Sequence, residues 1–321
     1  MLKMNKFKYI PLIFVLSFLI SVKCVFPQSN TTYDFLRLDI GARASSLGGS
    51  FTSNINDVNS VFYNPAALST LVNRQASVGF FKYLLDINSG NISYGQKFKK
   101  AGYIGGGIRF INYGSFEKFD EQSNSLGTFS ANEIAISLGY SNIYSRNFHY
   151  GVNAKFIYSG IDEFSSTAIA LDAGLLYLIP SSQWNFGLSL LNAGVQISKY
   201  NETKEDLPVD LRFGVSKKLE HLPLRIHFEL DDLASSADNF FDRFKNISVG
   251  GEFDFSDNVK FRIGYNNDQR QNLKTGSSLG IAGFSAGLGI KFLENYSMDY
   301  AFNSMGKVGA THKIDLGFNL K

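Results

Sequence analysis

Four things are scarce in this sequence, and each scarcity removes a class of protein. Cysteine occurs once in 321 residues, as Cys24. That residue falls in an N-terminal stretch expected to be removed, so the mature chain has no disulfide and no thiol nucleophile. Charge is low, at 18% of residues, and nearly balanced at +3. Lys97-Phe98-Lys99-Lys100 is the only basic run, which speaks against nucleic acid as a partner. Long apolar runs are missing after residue 25, where nothing approaches the roughly 20 residues that a spanning helix needs. Mean hydropathy is −0.06, so this is not a helical membrane protein. Catalytic signatures are missing too, with neither G-x-S-x-G nor HExxH present. Asp57, Asp120, Glu121, Asp231 and Asp232 have no calcium-loop spacing. No cofactor and no metal is expected, and the chain is read as a non-enzyme.

What the sequence does have begins with a leader. MLKMNKFKYIPLIFVLSFLISVKCVFPQ carries Lys3, Lys6 and Lys8 ahead of an apolar run from Ile10 to Val22. This predicts a secretory signal peptide over 1–28, cleaved between Cys24 and Asn30. The run is too short for a membrane anchor. Lys23 is a poor match to the small residue that precedes a lipidated cysteine.

From about Arg74 the chain alternates with period two. In LRIHFEL, Leu224, Ile226, Phe228 and Leu230 share one face, while Arg225, His227 and Glu229 share the other and Asp231 continues it. Val259–Tyr265, Tyr150–Tyr158 and His312–Leu320 repeat the pattern. Successive side chains of a strand point to opposite faces, so each segment has an apolar and a polar side. About 14 such segments follow one another, most of roughly 9–14 residues. Strands of soluble proteins run about 5–6 residues, whereas tilted strands crossing a bilayer need about 9–11.

The connections alternate in length. Ser256-Asp257, Glu220-His221, Leu293-Glu294 and Pro180–Ser182 are tight. Asn267–Leu279, Asp232–Lys245, Ser198–Pro208 and Ser115–Gly127 are long, and Gly160–Ser166 is of medium length. Short turns on one side and long loops on the other are the rhythm of an outer-membrane barrel. The predicted fold is all-β, an antiparallel up-and-down transmembrane barrel of about 14 strands over 74–321, with both termini on the short-turn side. Phe, Leu, Ile and Val face lipid, and Trp184, Tyr150 and Tyr296 sit near strand ends as an interfacial girdle. Arg212, Arg225, His227, Glu229, Asp231 and Arg262 form a polar column facing the lumen.

Residues 29–73 do not alternate. GARASSLGGS supplies Gly41, Gly48 and Gly49 for close backbone approach and Arg43 as its one charge. In NDVNSVFYNPAALSTL, Pro65 suits a first helical position with Asn64 as its cap, which predicts a short helix over Pro65–Leu71. About 14 strands enclose a lumen too wide for wall side chains to fill. A compact half-polar segment ahead of such a wall reads as a plug.

Tyr33–Leu68 resembles the N-terminal signature of the PorV/PorQ family of outer-membrane proteins, and Met298–Phe318 resembles that family's last hairpin. The same segment is similar, more loosely, to the plug of FadL-type fatty-acid transporters, where an Asn-Pro-Ala stretch sits inside a 14-stranded barrel. The resemblance implies that Asp57, Asn64, Pro65, Ala66 and Leu68 belong to the plug. It implies an integral outer-membrane protein whose partners, besides lipid, are a secretion translocon or the C-terminal signal domains of cargo in type IX secretion. The alternative is a FadL-like transporter for small hydrophobic molecules.

Four histidines are present: His149, His221, His227 and His312. His227 lies two strand positions from Glu229, and Ser216 or Ser248 can approach it from neighbouring strands, but nothing local marks a nucleophile. It reads as a luminal histidine in a charge network. Gly105-Gly106-Gly107 lies inside a strand with no helix after it, so it is expected to pack against the plug rather than hold phosphate. Ile111, Ile157, Leu176, Leu178 and Leu191 interrupt the polar face; they line an apolar pocket or pack on the plug.

Overall fold

The computed structural model describes residues 33–83, 86–99, 101–202, 204–234, 244–273 and 280–320. The expected leader lies outside them, as do 235–243 and 274–279 of two long loops.

Fourteen antiparallel strands close into one barrel. They are β1 (Arg74–Lys82), β2 (Asn88–Phe98), β3 (Gly102–Phe119), β4 (Ser125–Ser145), β5 (Phe148–Ile161), β6 (Phe164–Ile179) and β7 (Trp184–Ser198), then β8 (Asp210–Lys218), β9 (Leu224–Leu230), β10 (Ile247–Asp254), β11 (Val259–Asn266), β12 (Phe284–Phe292), β13 (Tyr296–Ser304) and β14 (Ala310–Leu320). Each pairs with its sequence neighbours, and β1 pairs with β14 from Arg74–Leu320 to Lys82–His312. The sheet therefore has no edge, which is what a strand-built wall needs in hydrocarbon.

Period-two alternation decides which way each side chain turns. In β5, Asn153, Lys155, Ile157 and Ser159 are buried inward, while Tyr150, Val152, Ala154, Phe156 and Tyr158 are exposed outward. The outward rows carry Ile104, Ile108, Phe110, Leu138, Phe228, Phe261, Ile263 and Leu316, all exposed. No described helix is long and apolar enough to cross a membrane; the crossing is made by strands. Trp184 opens β7 and stacks on Phe186 at 5.8 Å, and Tyr296 opens β13 and stacks on Phe292 at 6.0 Å. The predicted aromatic girdle is thus present at the short-turn end.

Two expectations change. The stretch 115–127 is not a loop: β3 and β4 continue as a paired ribbon, and only 120–124 turns. Phe116, Phe119 and Phe129 carry strand pairing outward, and the Asp120 carboxylate accepts from the Gln122 and Asn124 amides to close the turn. The link after β5 shrinks to Asp162 and Glu163, where Asp162 takes a φ of 53°. The described part of the chain ahead of β1 starts at the long-loop end, where the Tyr33 hydroxyl meets Ser166 near the outer start of β6. Residues 33–71 then run the length of the lumen to β1, and β14 ends on the short-turn side.

Candidate functional site: the filled lumen

Most side chains of 33–71 are buried. The segment folds into short helical turns at Asp34–Arg37, Ala42–Ser46, Val58–Phe62 and Pro65–Thr70. The Asp57 carboxylate caps the third by accepting from Asn59, and the Asn64 side chain caps the fourth by accepting from Ala66 at 3.1 Å. The expected helix at Pro65 is present in tighter 3₁₀ form, with Leu71 as its C-cap.

Apolar contacts fix two ends of the segment. Tyr33, Phe35 and Leu36 cluster with Ile111, Ala135, Ile157, Ala168, Ala170 and Leu207 in the outer half. Ala66 and Ala67 pack on Leu176 and Leu178, with Ile55 beside them. Of the two readings of the apolar interruptions, packing on the segment holds for Ile111, Ile157, Leu176 and Leu178. Two of the three glycines do the same: a Cβ on Gly107 would sit 2.3 Å from the Phe62 ring and one on Gly105 2.9 Å from Leu68, whereas Gly106 turns outward beside Leu138. Gly48, at φ 69°, lies so close to β11 that a Cβ on Gly264 would sit 2.2 Å from its nitrogen.

Polar ties fix the rest. Glu229 accepts from the Phe51 and Thr52 amides and the Thr52 hydroxyl, each at 2.7 Å. Asn64 donates to Thr52 O at 2.9 Å and to Leu175 O at 3.0 Å. Asn153 donates to Val61 O at 2.8 Å, and Arg109 to Leu36 O at 2.7 Å. Lys313 donates to Asp39 O at 2.6 Å. Every helical turn of the segment thus ends on a wall side chain, as buried backbone groups require.

The predicted polar column faces the lumen but divides into two groups. Arg43 grips Glu252 with Nε at 2.9 Å and Nη2 at 3.0 Å, and reaches Asp57 at 3.1 Å. Arg262 meets the same Glu252 at 2.7 Å and Asp299 at 2.6 Å, and Lys260 joins at 3.3 Å. Further out, Arg212 lies 2.6 Å from Asp210 and 3.8 Å from both Glu229 and Asp231. Removing one partner of such a buried pair costs about 3–5 kcal/mol, because the other charge is left uncompensated.

Two members behave otherwise than expected. Leu230 was assigned to the lipid row, yet it is buried with Leu211 and Leu233 because β9 ends there and the chain turns. His227 is fully buried among these charges, with neither ring nitrogen hydrogen-bonded to them. The strands beside it present Ser216 and Gly250 in register, and the flanking carboxylates are held by other groups. Ser216 is hydrogen-bonded to Asn185 at 3.3 Å, Ser248 lies 3.5 Å from Asp231, and neither meets a His227 ring nitrogen, so neither completes a Ser-His-acid arrangement. The serine–histidine contact that does form, Ser69 Oγ to His149 Nδ1 at 2.6 Å, ties the last helical turn to β5. Among the described residues no carboxylate is hydrogen-bonded to that imidazole.

Alternation puts Glu252 and Asp315 on the polar face, but sequence reasoning passed over Glu252 as a hub, and also Asp210 and the pair Lys155–Asp172. Lys155 reaches Asp172 at 3.0 Å, and Asp172 also accepts from the Asn192 amide at 2.8 Å. Asn192, at φ 60°, sits where the β6–β7 register shifts. The signal was available, since Asp172 is the one charged residue of β6 and lies on its inward parity.

Several cavities remain beside the segment, including a large outer one and an inner one. The outer one, about 590 Å³, is lined by Asp34, Arg37, Asp39, Asp210, Arg212, Asp231, Asp232 and Asp268. The inner one, about 260 Å³, lies among Arg43, Asp57, Lys260, Arg262, Asp299 and Asp315. A third hollow of about 540 Å³ opens toward lipid, over Leu138, Ala154, Phe156, Ala170, Leu171, Ala193 and Val195.

No family model and no curated protein matches the sequence, so the PorV/PorQ resemblance has no counterpart there. Solved structures do match. A Pseudomonas aeruginosa FadL homologue aligns at TM-score 0.55 and 10% identity, over 88% of this chain and 98% of that one. The Pseudomonas putida toluene transporter TodX aligns at 0.58 and 9%, over 87% and 97%. The Ralstonia pickettii toluene transporter TbuX aligns at 0.57 and 10%, over 88% and 98%. At such identity the likeness concerns the fold. The chain has the closed 14-strand barrel of FadL-like outer-membrane channels, and with its apolar belt it is an integral outer-membrane protein.

Proposed function

We propose that the chain is a plugged barrel that takes small hydrophobic molecules from the outer surface toward the membrane. One observation carries this. The apolar cluster around Tyr33, Phe35 and Leu36 lies in the outer half of the lumen, and its member Ala170 also lines the lipid-facing hollow. Lumen and lipid approach each other there at Ala170, with Lys155 also lining the hollow, beside the register shift of β6 and β7. An apolar molecule displacing Tyr33–Leu36 would replace like contacts with like, which costs little. The neighbours TodX and TbuX, named as toluene transporters, agree with this class of cargo. Residues 33–71 serve as the plug, the leader 1–28 is removed, and 74–321 is the wall.

A second reading keeps the PorV/PorQ resemblance, in which the barrel binds secreted cargo or a translocon of the type IX system. The free-standing β3–β4 ribbon favours an added protein contact.

The test is uptake of radiolabelled toluene by cells with a lipopolysaccharide-bearing outer membrane. Expression of the chain is expected to speed uptake. Ala154→Trp with Ala193→Trp, which fills the lipid-facing hollow, is expected to return it to background while the barrel still migrates as folded. Uptake no faster than in empty cells overturns the reading.

A further inference from the structure

We propose that the outer ends of β3 and β4 form a docking edge for a basic, extended segment of a partner protein, which joins them as an added strand. This goes beyond the passage of small molecules, and it rests on residues outside the lumen.

Wall pairing stops well short of the ribbon tip. The outermost β2–β3 pair is Asn88–Asn112, and the outermost β4–β5 pair is Ala131–Ile161. Beyond these, the Asp162 amide still reaches Ser130 O at 3.1 Å, and among the described residues 115–119 and 125–129 pair in strand register only with each other. Both outer edges of the ribbon thus present backbone groups with no strand beside them, the condition under which an extended peptide adds by main-chain hydrogen bonds.

The side chains say what would add. Phe116 stacks on Phe129 at 5.3 Å yet remains 43% exposed, and Phe119 and Leu126 are more exposed still. An isolated two-stranded ribbon is marginal in water. Lipid is not the cover. Below the ribbon the outward row passes from Phe110 and Ile134 to Asn112 and Asn132, whose amides hydrogen-bond to each other, so the apolar belt has already ended. Glu117, Asp120 and Glu121 give the ribbon its charge, with Glu163 on the adjoining turn. Its one cation, Lys118, is held by Asp162. An occupant with alternate apolar and basic residues matches both features. A second copy of the chain does not, since it would bring the same acidic ribbon. In one membrane its β3 also runs outward, so identical edges could meet only in parallel.

The experiment is amide hydrogen exchange on the full chain in nanodiscs, using a peptide of alternating lysine and valine as probe and one of alternating glutamate and valine as control. The lysine peptide is expected to slow exchange across 115–130, and the control is not. Phe116→Ser with Phe129→Ser is expected to weaken binding about tenfold, or about 1.4 kcal/mol, the scale of an aromatic contact. These rings are off the wall, so the variant keeps its folded migration. No slowing at millimolar peptide, or equal slowing by both peptides, overturns the proposal. Protection produced by lipopolysaccharide in the nanodisc, or by raising protein concentration alone, overturns it in favour of lipid or a second copy.

Discussion

Glu252 shows how a single side chain joins segment to wall: Arg43 arrives from the segment, Arg262 and Lys260 from the adjacent strand, and all three end on one carboxylate. At the outer mouth the balance differs. Burial pushes the Asp232 carboxyl from 3.8 up to about 6, against the pull of Arg37 at 3.3 Å. Burial raises Asp268 as well. A carboxylate whose folded pKa lies above its unfolded value binds its proton more tightly when folded. Its contribution to stability is therefore greatest in acid and falls as pH rises from about 4 to about 6. The Leu233 amide, which donates to Leu211 O at 2.9 Å, is expected to open less often at pH 5 than at pH 7, after correction for intrinsic exchange. Asp232→Asn should shrink that difference. Equal protection at both values would show that the site does not feel this charge. The inward parity of Arg212, Arg225, His227, Glu229 and Arg262 was legible from alternation alone. Which partner each takes was not, because ion pairs such as Arg43–Glu252 join residues 209 positions apart.

Among the elements, the segment 33–71 is the one whose removal tests its role most directly. Every strand-to-strand pair of the wall lies between residues 74 and 320. Deleting 41–71 behind an intact leader should therefore leave a barrel able to close, now without its filling. In planar bilayers the intact protein is expected to be nearly silent and the deletion to conduct steadily. Pro65→Gly, which frees the φ that starts the last helical turn, should give a weaker form of the same leak. A deletion that folds and stays closed would show that the segment is not the seal. Failure to fold would assign it to the wall. The Asn64–Pro65 start of that turn was readable in the sequence, because capping is local chemistry. The outward continuation of β3 and β4 was not. Ser, Asn and Gly dominate 121–130 and look like a loop until Phe116 and Phe129 are seen side by side.

For the whole molecule the decisive property is which face meets lipid. Phe228 and Phe261 are exposed on the outside, whereas Arg225 turns inward. Phe228→Arg or Phe261→Arg is expected to cost about 2–4 kcal/mol of folding free energy near the bilayer midplane. Arg225→Leu should cost much less, read as the fraction of heat-modifiable folded barrel after refolding into vesicles. Equal yields would mean that the faces are inverted. Arg262→Leu no longer belongs with the tolerated set, because it would strip Glu252 and Asp299 of a buried partner. Sequence alone determined the strand number, the faces and the side on which long loops lie, since period-two alternation and turn residues are local and repeat along the chain. Tertiary structure decided the rest. That the first described residues lie at the outer mouth, and that Arg43 of the segment completes the Glu252 hub, depend on closure of the wall around the segment. Closure brings the N-terminal segment against strands far along the chain, and no local pattern encodes those distances.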